Sequence, residues 1–390
     1  MIIDDKIKIT MLPARAGDCL LIEFIKEDYR ILIDGGYADT YDKYLRQKLV
    51  SLAEQGKKIN LMVITHIDAD HIGGILAFLK ENGSANESTI IQVDEVWYNA
   101  FHHIYDGNIQ SEATPYIIKE IFRGSIAATS RMYESNRQNI SVSQGNTLAG
   151  LLKRGGYNWN TIYNKKAVCV ENGISKELTS KIQCTLLGPD KEALNKLAEL
   201  WINKMNGTVK RFIVCDDDLY SEAFECGQLQ MINISDEIKR KDVAYESASQ
   251  RILSWKELAD SWQLKIDASP TNRSSIAFLL EYDGLKMLFP GDSPLQLFKD
   301  NLPQKMDIVK LPHHGSEKNI YKSFIQNTEV DYYLLSTEGK RHDHPSKSVI
   351  GSIFCKAKES EIPSLVKNYE ICELDQIGIY ERYEDGKDCY

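Results

Sequence analysis

Four side chains of the types that bind metal ions fall within six positions of one another, between residues 66 and 71. They are His66, Asp68, Asp70 and His71. Neutral imidazole nitrogens and carboxylate oxygens suit divalent first-row metals. In a tight loop, side chains two positions apart can point the same way, so His66 and Asp68 could hold one cation and Asp70 and His71 a second. The alternative is that one aspartate only caps a helix, but a cap needs a single acidic residue.

Two elements must position this stretch. The apolar run of residues 61–64 is typical of a short buried strand. Residues 73–80 predict a helix that ends at Asn82-Gly83, and the glycines at its start would let it pack close to the strand. The four side chains therefore follow the carboxyl end of a strand, which is where ligands bind in open α/β layers.

The string His-x-Asp-x-Asp-His-x-Gly-Gly at residues 66–74 resembles the motif of the metallo-β-lactamase superfamily. More narrowly, it resembles the branch typified by the metallohydrolase domain of ComEC-type DNA-uptake proteins. That branch has aspartate at the position of Asp68, where many other members have histidine. The resemblance extends over about residues 6–100, 181–189 and 270–382. It implies an α/β fold, a four-layer αββα sandwich with helical insertions.

Two aspartates at other strand ends acquire roles from this resemblance. Asp34, after the strand predicted over 29–33, resembles a residue that lies behind the metal loop. An ordinary turn aspartate explains Asp34 equally well. Asp292 follows a hairpin whose Asp283-Gly284 turn is of the two-residue type. It matches the carboxylate that bridges two metals, and the alternative for it is a plain turn residue.

Two histidines acquire roles in the same way. His314, in the string Pro-x-His-Gly, matches the last metal-binding histidine of the superfamily. Its neighbour His313 is expected to point the other way. His344, in a His-Pro dipeptide, matches a residue that contacts the leaving group or the phosphate of the substrate.

One departure from the pattern concerns the identity of the metals. Superfamily members with a full zinc pair usually have a histidine where Asn272 falls in this chain. Without that histidine, and with Asp68 present, the first site is richer in oxygen ligands, which favour manganese or magnesium more than histidine-rich sites do. We expect two divalent metal ions, zinc or manganese, with magnesium as a further alternative.

Composition limits the class of protein. The chain has 390 residues, a net charge of −9 and 43% hydrophobic residues, which predicts a packed protein. It has no apolar run long enough to cross a bilayer and no basic-then-apolar leader at its start, so we expect a cytoplasmic location without membrane contact. The eight cysteines form no Cys-x-x-Cys pair, which disfavours a zinc ribbon or a disulfide framework. The acidic balance disfavours broad coating of nucleic acid but allows a local basic groove.

The chain is predicted to be a single metallo-β-lactamase-fold domain over residues 1–390. Two mainly helical insertions are expected at 101–180 and 190–269, with a helix at 111–136, and a last strand at 371–380 closes the fold. The pair His102-His103 lies near a strand end without partner carboxylates nearby in the sequence, so we expect surface or substrate-facing groups there and not metal ligands.

These features predict a metal-dependent hydrolase. Metal binding would lower the pKa of a water molecule and generate hydroxide near neutral pH. Asp70 would orient this nucleophile as well as bind metal, and His344 would donate to the departing oxygen. The resembled branch implies phosphodiester hydrolysis, on DNA or another phosphodiester. Two alternatives stay open: hydrolysis of small esters or lactones, and a subunit of a multi-protein assembly, such as a defence complex, that acts through its insertions with a protein partner or a second copy.

Overall fold

The computed structural model describes residues 1–104, 148–208, 254–263, 265–340, 343–360 and 364–368. In these residues the chain forms two mixed β-sheets with helices on their outer faces. The predicted helix at 111–136 and the predicted last strand at 371–380 lie outside the described residues.

The first sheet has six strands in chain order, β1-β2-β3-β4-β5-β6. Strands β1 to β4 pair antiparallel, whereas β4, β5 and β6 run parallel. The carboxyl ends of these three strands therefore meet at one edge of the sheet. The strands are β1 Ile2–Ile3, β2 Ile7–Met11, β3 Leu20–Phe24, β4 Tyr29–Ile33, β5 Ile59–Val63 and β6 Val93–Trp97.

The second sheet has seven strands in the order β13-β12-β11-β10-β9-β8-β7. Its half from β7 to β10 is antiparallel, and its half from β10 to β13 is parallel. The predicted hairpin joins β9 to β10, and both residues of its turn, Asp283 and Gly284, have positive φ angles of 49° and 84°. The strands are β7 Ser175–Glu177, β8 Ile182–Gly188, β9 Ala277–Tyr282, β10 Leu285–Phe289, β11 Lys305–Lys310, β12 Glu329–Leu335 and β13 Ser364–Lys367.

Helices cover the outer faces of both sheets. A π-helical turn, Tyr41–Leu45, joins α1 to α2. Among the helices of the described residues, none combines the length and the apolar character that crossing a bilayer requires. The helices are α1 Ala38–Thr40, α2 Arg46–Glu54, α3 Ala69–Asn82, α4 Phe101–Ile104, α5 Leu148–Arg154, α6 Lys191–Thr208, α7 Trp255–Ala259, α8 Pro270–Arg273, α9 Lys322–Asn327 and α10 Lys347–Ser360.

Three clusters of buried apolar residues define the layers. The central cluster joins inward-facing residues of both sheets, such as Ile22 and Phe278. A second cluster lies between the first sheet and helices that include α2 and α3. A third lies between the second sheet and helices that include α9 and α10. Each sheet is buried on both faces, which is why several strands are almost continuously apolar. The predicted αββα sandwich is confirmed.

Candidate metal centre

The loop between β5 and α3 carries the four side chains of the motif. Asp68 occupies the position just before the first turn of α3, but its carboxylate makes no capping hydrogen bond. Its Oδ2 lies instead 3.6 Å from Nε2 of His66. Asp70 and His71 stand in the first turn of the helix. The capping alternative therefore does not account for Asp68.

Asp34 lies directly behind this loop and fixes its conformation. Its Oδ1 accepts a hydrogen bond of 2.8 Å from the Thr65 amide, and its Oδ2 accepts one of 2.7 Å from the Thr65 hydroxyl. His71 Nδ1 lies 2.8 Å from the same Oδ2. Because a carboxylate can only accept, His71 carries a proton on Nδ1 and presents Nε2 to the centre. Asp34 is fully buried, so it supports the metal loop and is not an ordinary turn residue.

Matching hydrogen-bond donors with acceptors also determines the orientation of the His66 and His314 rings. The Thr65 hydroxyl donates its single proton to Asp34, so it accepts from Nδ1 of His66 at 3.0 Å. His314 Nδ1 donates to the carbonyl oxygen of Ser336 at 2.9 Å. Metal-binding histidines commonly use their second ring nitrogen in this way, since the contact sets both the tautomer and the ring orientation. Three imidazoles are thus held with Nε2 facing inward.

Asp292 brings the second sheet into the centre. It follows β10, is buried, and its amide donates to the Ser275 hydroxyl at 3.3 Å. The Nε2 atoms of four imidazoles surround its Oδ2, at 3.5 Å (His71), 3.7 Å (His314), 3.8 Å (His313) and 3.9 Å (His66). These separations exceed ordinary hydrogen bonds. They match two ligands of one ion, which lie at most about 4.2 Å apart when each bond is about 2.1 Å.

The prediction for His313 is wrong. Both His313 and His314 have left-handed backbone conformations, with φ of 44° and 56°. In an extended strand, neighbouring side chains point to opposite faces, but two consecutive left-handed residues turn both rings toward Asp292. Non-glycine residues in this region cost about 1–3 kcal/mol each and persist where the surrounding contacts hold them. Strand alternation therefore gave the wrong direction for His313.

A buried ion pair lies beside the centre, and the sequence analysis did not identify it. Lys310, at the end of β11, pairs with Asp18, and both side chains are about 2% exposed. Lys310 Nζ is also 3.9 Å from Oδ1 of Asp292. The sequence did contain a signal for this pair, because Lys310 follows the apolar run Ile308-Val309 of a predicted buried strand. Lysine is almost never fully buried without a partner, so an acidic partner could have been expected.

The electrostatic environment attracts positive charge. Burial by itself would lower the pKa of His71, but Asp292, Asp34 and Asp70 raise it well above its ordinary value. Burial would likewise lower the pKa of His313, whereas Asp292 and Asp267 raise it to about 9. These directions show a concentration of negative charge that is balanced either by protons on the imidazoles or by bound cations.

The donor atoms fit divalent metal ions. His66 Nε2, His71 Nε2, His314 Nε2 and Asp292 Oδ1 are buried without a hydrogen-bond partner. Buried polar atoms are rarely left unpaired unless a ligand or ion completes them. Three groups in the described part of the chain have ligand atoms that all lie within 4.8 Å of one another. Two of them face the centre, namely His66, His71 and Asp292, and Asp70, His71 and His314, whereas the third, Asp18, Asp34 and His71, consists of the supporting carboxylates and one of these rings.

The remaining predicted site residues lie close by. Asp68 contacts His66 and adds a carboxylate at the edge of the first group. His344 packs its ring against His313, with 4.8 Å between centroids. His102 and His103 pack against Trp159.

Comparison with known proteins bears on the amino-terminal part of the chain. Residues 12–104 match the family model described as the metallo-beta-lactamase superfamily. No curated protein matches the chain. The matched segment includes Asp34 and the motif from His66 to His71, whereas Asp292 and His314 lie beyond it. Residues 12–104 are thus similar to the metallo-beta-lactamase superfamily, and together with the histidine and aspartate clusters this similarity supports a metal-dependent hydrolase.

Proposed function

We propose that this protein is a metal-dependent phosphodiesterase or nuclease that binds two divalent cations. The observation that carries the proposal is the convergence of imidazole Nε2 atoms on Oδ2 of Asp292, at 3.5–3.9 Å, with each ring held through its other nitrogen. Such a constellation is a ligand set prepared in advance. A purely structural role would leave no reason for the buried, unpaired nitrogens.

The chain supplies enough ligands for two ions on either side of one carboxylate. His66, Asp68 and Asp292 would hold the first ion. Asp70, His71 and His314 would hold the second, with Asp292 shared between them. When bound, divalent cations lower the pKa of water and neutralise the charge that develops on a substrate oxygen. Zinc and manganese are the candidates, and the two carboxylates of Asp68 and Asp292 also allow magnesium.

Two side chains have proposed roles in proton transfer and orientation. The Asp70 carboxylate is 21% exposed, so its second oxygen can accept a hydrogen bond from the attacking water and orient it. His344 is half-buried beside His313, where its ring can give a proton to the departing oxygen. General acids of this type contribute about 10²–10⁴-fold to rate. The catalytic assignment is therefore Asp70 and His344.

The substrate class rests on the ligand types and on the motif. Pairs of metal ions that share a carboxylate suit in-line displacement at phosphorus, because they neutralise both the attacking and the leaving oxygen. The Asp68-containing motif resembles the ComEC-type branch, which implies phosphodiester cleavage. The net charge of −9 disfavours extended contact with long DNA. A short nucleic acid or a small phosphodiester is therefore the substrate we favour.

A cytoplasmic location stays a prediction.

The first test combines metal content with turnover of a generic phosphodiester. The purified protein is analysed for metal, and hydrolysis of bis(p-nitrophenyl) phosphate is measured with Mn²⁺, Zn²⁺ or Mg²⁺ added back. We expect turnover by the wild type and a loss of at least about 100-fold in Asp292→Ala, since even the loss of a supporting partner costs 10–100-fold. Asp300→Ala, which alters an exposed aspartate, is the matched control and should retain wild-type turnover.

Two outcomes would contradict the proposal. If the metal-loaded wild type is inert on phosphodiesters but hydrolyses p-nitrophenyl acetate or a lactone, the protein is an ester or lactone hydrolase. If the wild type binds no divalent metal at all, the metallohydrolase proposal fails. Co-purification of a protein partner that is lost when residues 101–180 are deleted would instead favour the assembly-subunit alternative.

A further inference from the structure

We propose that His313 is itself a metal ligand, the fourth imidazole of the centre, with a divalent first-row cation as its partner. The inference rests on the proposed metal-dependent function and extends it. From the sequence, His313 was expected to point the other way from His314, and the family-model match ends at residue 104. Three features of His313 point to ligation: the orientation of its ring, the contacts that fix the ring and the distance from Nε2 to Asp292.

The hydrogen bonds of Asn319 determine which nitrogen of His313 faces the centre. The Asn319 amide group donates to Asp267 Oδ2 at 2.9 Å and to the Asp292 carbonyl oxygen at 2.7 Å. Both of its protons are thereby used, so its Oδ1 is left to accept from Nδ1 of His313, 3.1 Å away. His313 therefore carries a proton on Nδ1 and directs Nε2 toward Asp292.

The Asp267 carboxylate lies next to the protonated nitrogen of His313, as is usual for metal-binding histidines. Asp267 Oδ2 lies 3.4 Å from His313 Nδ1 and accepts from the Asn272 amide at 2.6 Å. Asn319 is fully buried and Asn272 nearly so. Burying such a network is costly unless every member is satisfied, and these contacts together hold one imidazole.

The distance in front of the ring distinguishes ligation from a direct ion pair. His313 Nε2 is 3.8 Å from Asp292 Oδ2. That is too long for a hydrogen bond, whose N···O distance is about 2.7–3.2 Å, but it lies within the span of two ligands on one ion. The separations of the other three histidines from the same oxygen are 3.5–3.9 Å, so His313 stands in the same relation to Asp292 as the expected ligands do.

His313 would complete the first site. Asp70, His71 and His314 already form one group of ligand atoms, which leaves His66 and Asp68 to share an ion with Asp292. The His313 side chain is 26% exposed, whereas those of His66 and His71 are fully buried. His313 is therefore the most exposed of the four imidazoles, since His314 is only 3% exposed.

The test measures metal binding directly. His313→Asn removes the imidazole, and asparagine tolerates the left-handed backbone at this position better than most residues do. We expect the wild type to hold two ions per chain by elemental analysis, and His313→Asn to hold the second at least tenfold more weakly. The matched control is His103→Asn, which alters the second member of the other His-His pair and should keep both ions. Circular dichroism confirms that the variants are folded.

A second variant separates ligation from positioning. In His313→Cys loaded with Co²⁺, a thiolate bound to the ion gives an intense near-ultraviolet charge-transfer band that the wild type lacks. The band supports the proposal even if only one ion binds. Retention of both ions by His313→Asn with wild-type affinity overturns it, and so does loss of an ion without the cobalt band in His313→Cys, because His313 would then only position other groups. A wild type that binds no metal overturns both this inference and the proposed function.

Discussion

At the residue scale, the geometry of the centre depends on a buried carboxylate outside the proposed ligand set. Asp34 is fully buried and has a φ of 54°, so both its position and its backbone serve the metal loop. It contacts Thr65 through both of its oxygens, and Thr65 in turn contacts His66. One carboxylate thereby fixes two ligand rings, His71 directly and His66 through a hydroxyl. The consequence is that a residue without metal contact should control metal affinity.

Replacing Asp34 by asparagine should weaken metal binding without removing a ligand. The amide group of Asn would set a donor against Thr65 or against Nδ1 of His71, both of which donate to Asp34. We expect the affinity for metal to fall by about 10–100-fold, measured by competition with a chelator. Asp307→Asn is the control, because Asp307 also accepts from a backbone amide, that of Lys286 at 2.7 Å, but lies outside the centre. Equal affinities in Asp34→Asn and wild type would contradict this role.

The Lys310–Asp18 pair supports a second prediction at this scale. Lys310→Met leaves the Asp18 carboxylate buried beside Asp292 without its cation. Removing one partner of a buried pair costs about 3–5 kcal/mol in the free energy of unfolding. Urea denaturation measures this loss. Lys305→Met, on the same strand but 67% exposed, should change stability by less than about 1 kcal/mol. If the two variants are equally stable, the pair has no stabilising role.

At the element scale, the start of α3 must lie almost against the turn that follows β4. The Gly35 amide donates to the His71 carbonyl oxygen at 2.8 Å, and the Gly74 amide donates to the Gly36 carbonyl oxygen at 2.8 Å. These bonds fix the first turn of α3, and with it Asp70 and His71, relative to the end of the sheet. The paired glycines of the motif permit this approach. They were expected to let the helix pack close to the strand before the motif, whereas the close contact is with the turn after β4.

Gly74→Ala should therefore disturb both the fold and the centre. A Cβ atom at Gly74 would lie 1.9 Å from the Gly35 carbonyl oxygen, and the neighbouring hydrogen bonds prevent a simple shift of the helix. Overpacking of this kind costs about 1–3 kcal/mol or more. We expect lower unfolding free energy and less bound metal. At Gly188 an added Cβ has no neighbour nearer than 3.9 Å, so Gly188→Ala serves as the control. Normal metal content in Gly74→Ala would show that the helix can adjust.

At the scale of the whole molecule, the centre lies where the two sheets meet. The first sheet and α3 supply His66, Asp68, Asp70 and His71, and the second sheet supplies Asp292 and the two histidines after β11. The two sheets are also joined next to these side chains, because the Ser336 hydroxyl, after β12, donates to the Gly17 carbonyl oxygen, between β2 and β3, at 2.8 Å. The centre therefore forms only when both halves of the sandwich are in place, and metal binding should be coupled to folding.

The pH dependence of stability in the metal-free protein follows from this arrangement. His313 has its pKa raised to about 9, compared with about 6.5 in an unfolded chain. Because the folded state binds the proton more tightly, the stabilisation is complete below pH 6.5 and is lost as the pH rises toward about 9. We expect the unfolding free energy of the chelator-treated protein to fall over this window, and to fall less in His313→Asn. Bound metal should reverse the trend, since ligation requires neutral imidazole. Flat stability in the metal-free wild type would contradict the prediction.

The sequence by itself predicted most of the candidate metal ligands and the elements that carry them. The motif from His66 to His71 follows a strand, and Asp292 and His314 occur in the expected order after a hairpin and a strand, because apolar runs and turn residues are local signals. Only the tertiary structure decided how these groups face one another. Two consecutive left-handed residues turn His313 toward Asp292, and Asp18 meets Lys310 across nearly the whole chain. The direction of the His313 ring depends on backbone angles, and the Asp18–Lys310 pair depends on packing between distant parts of the chain. No local pattern of residues encodes either of them.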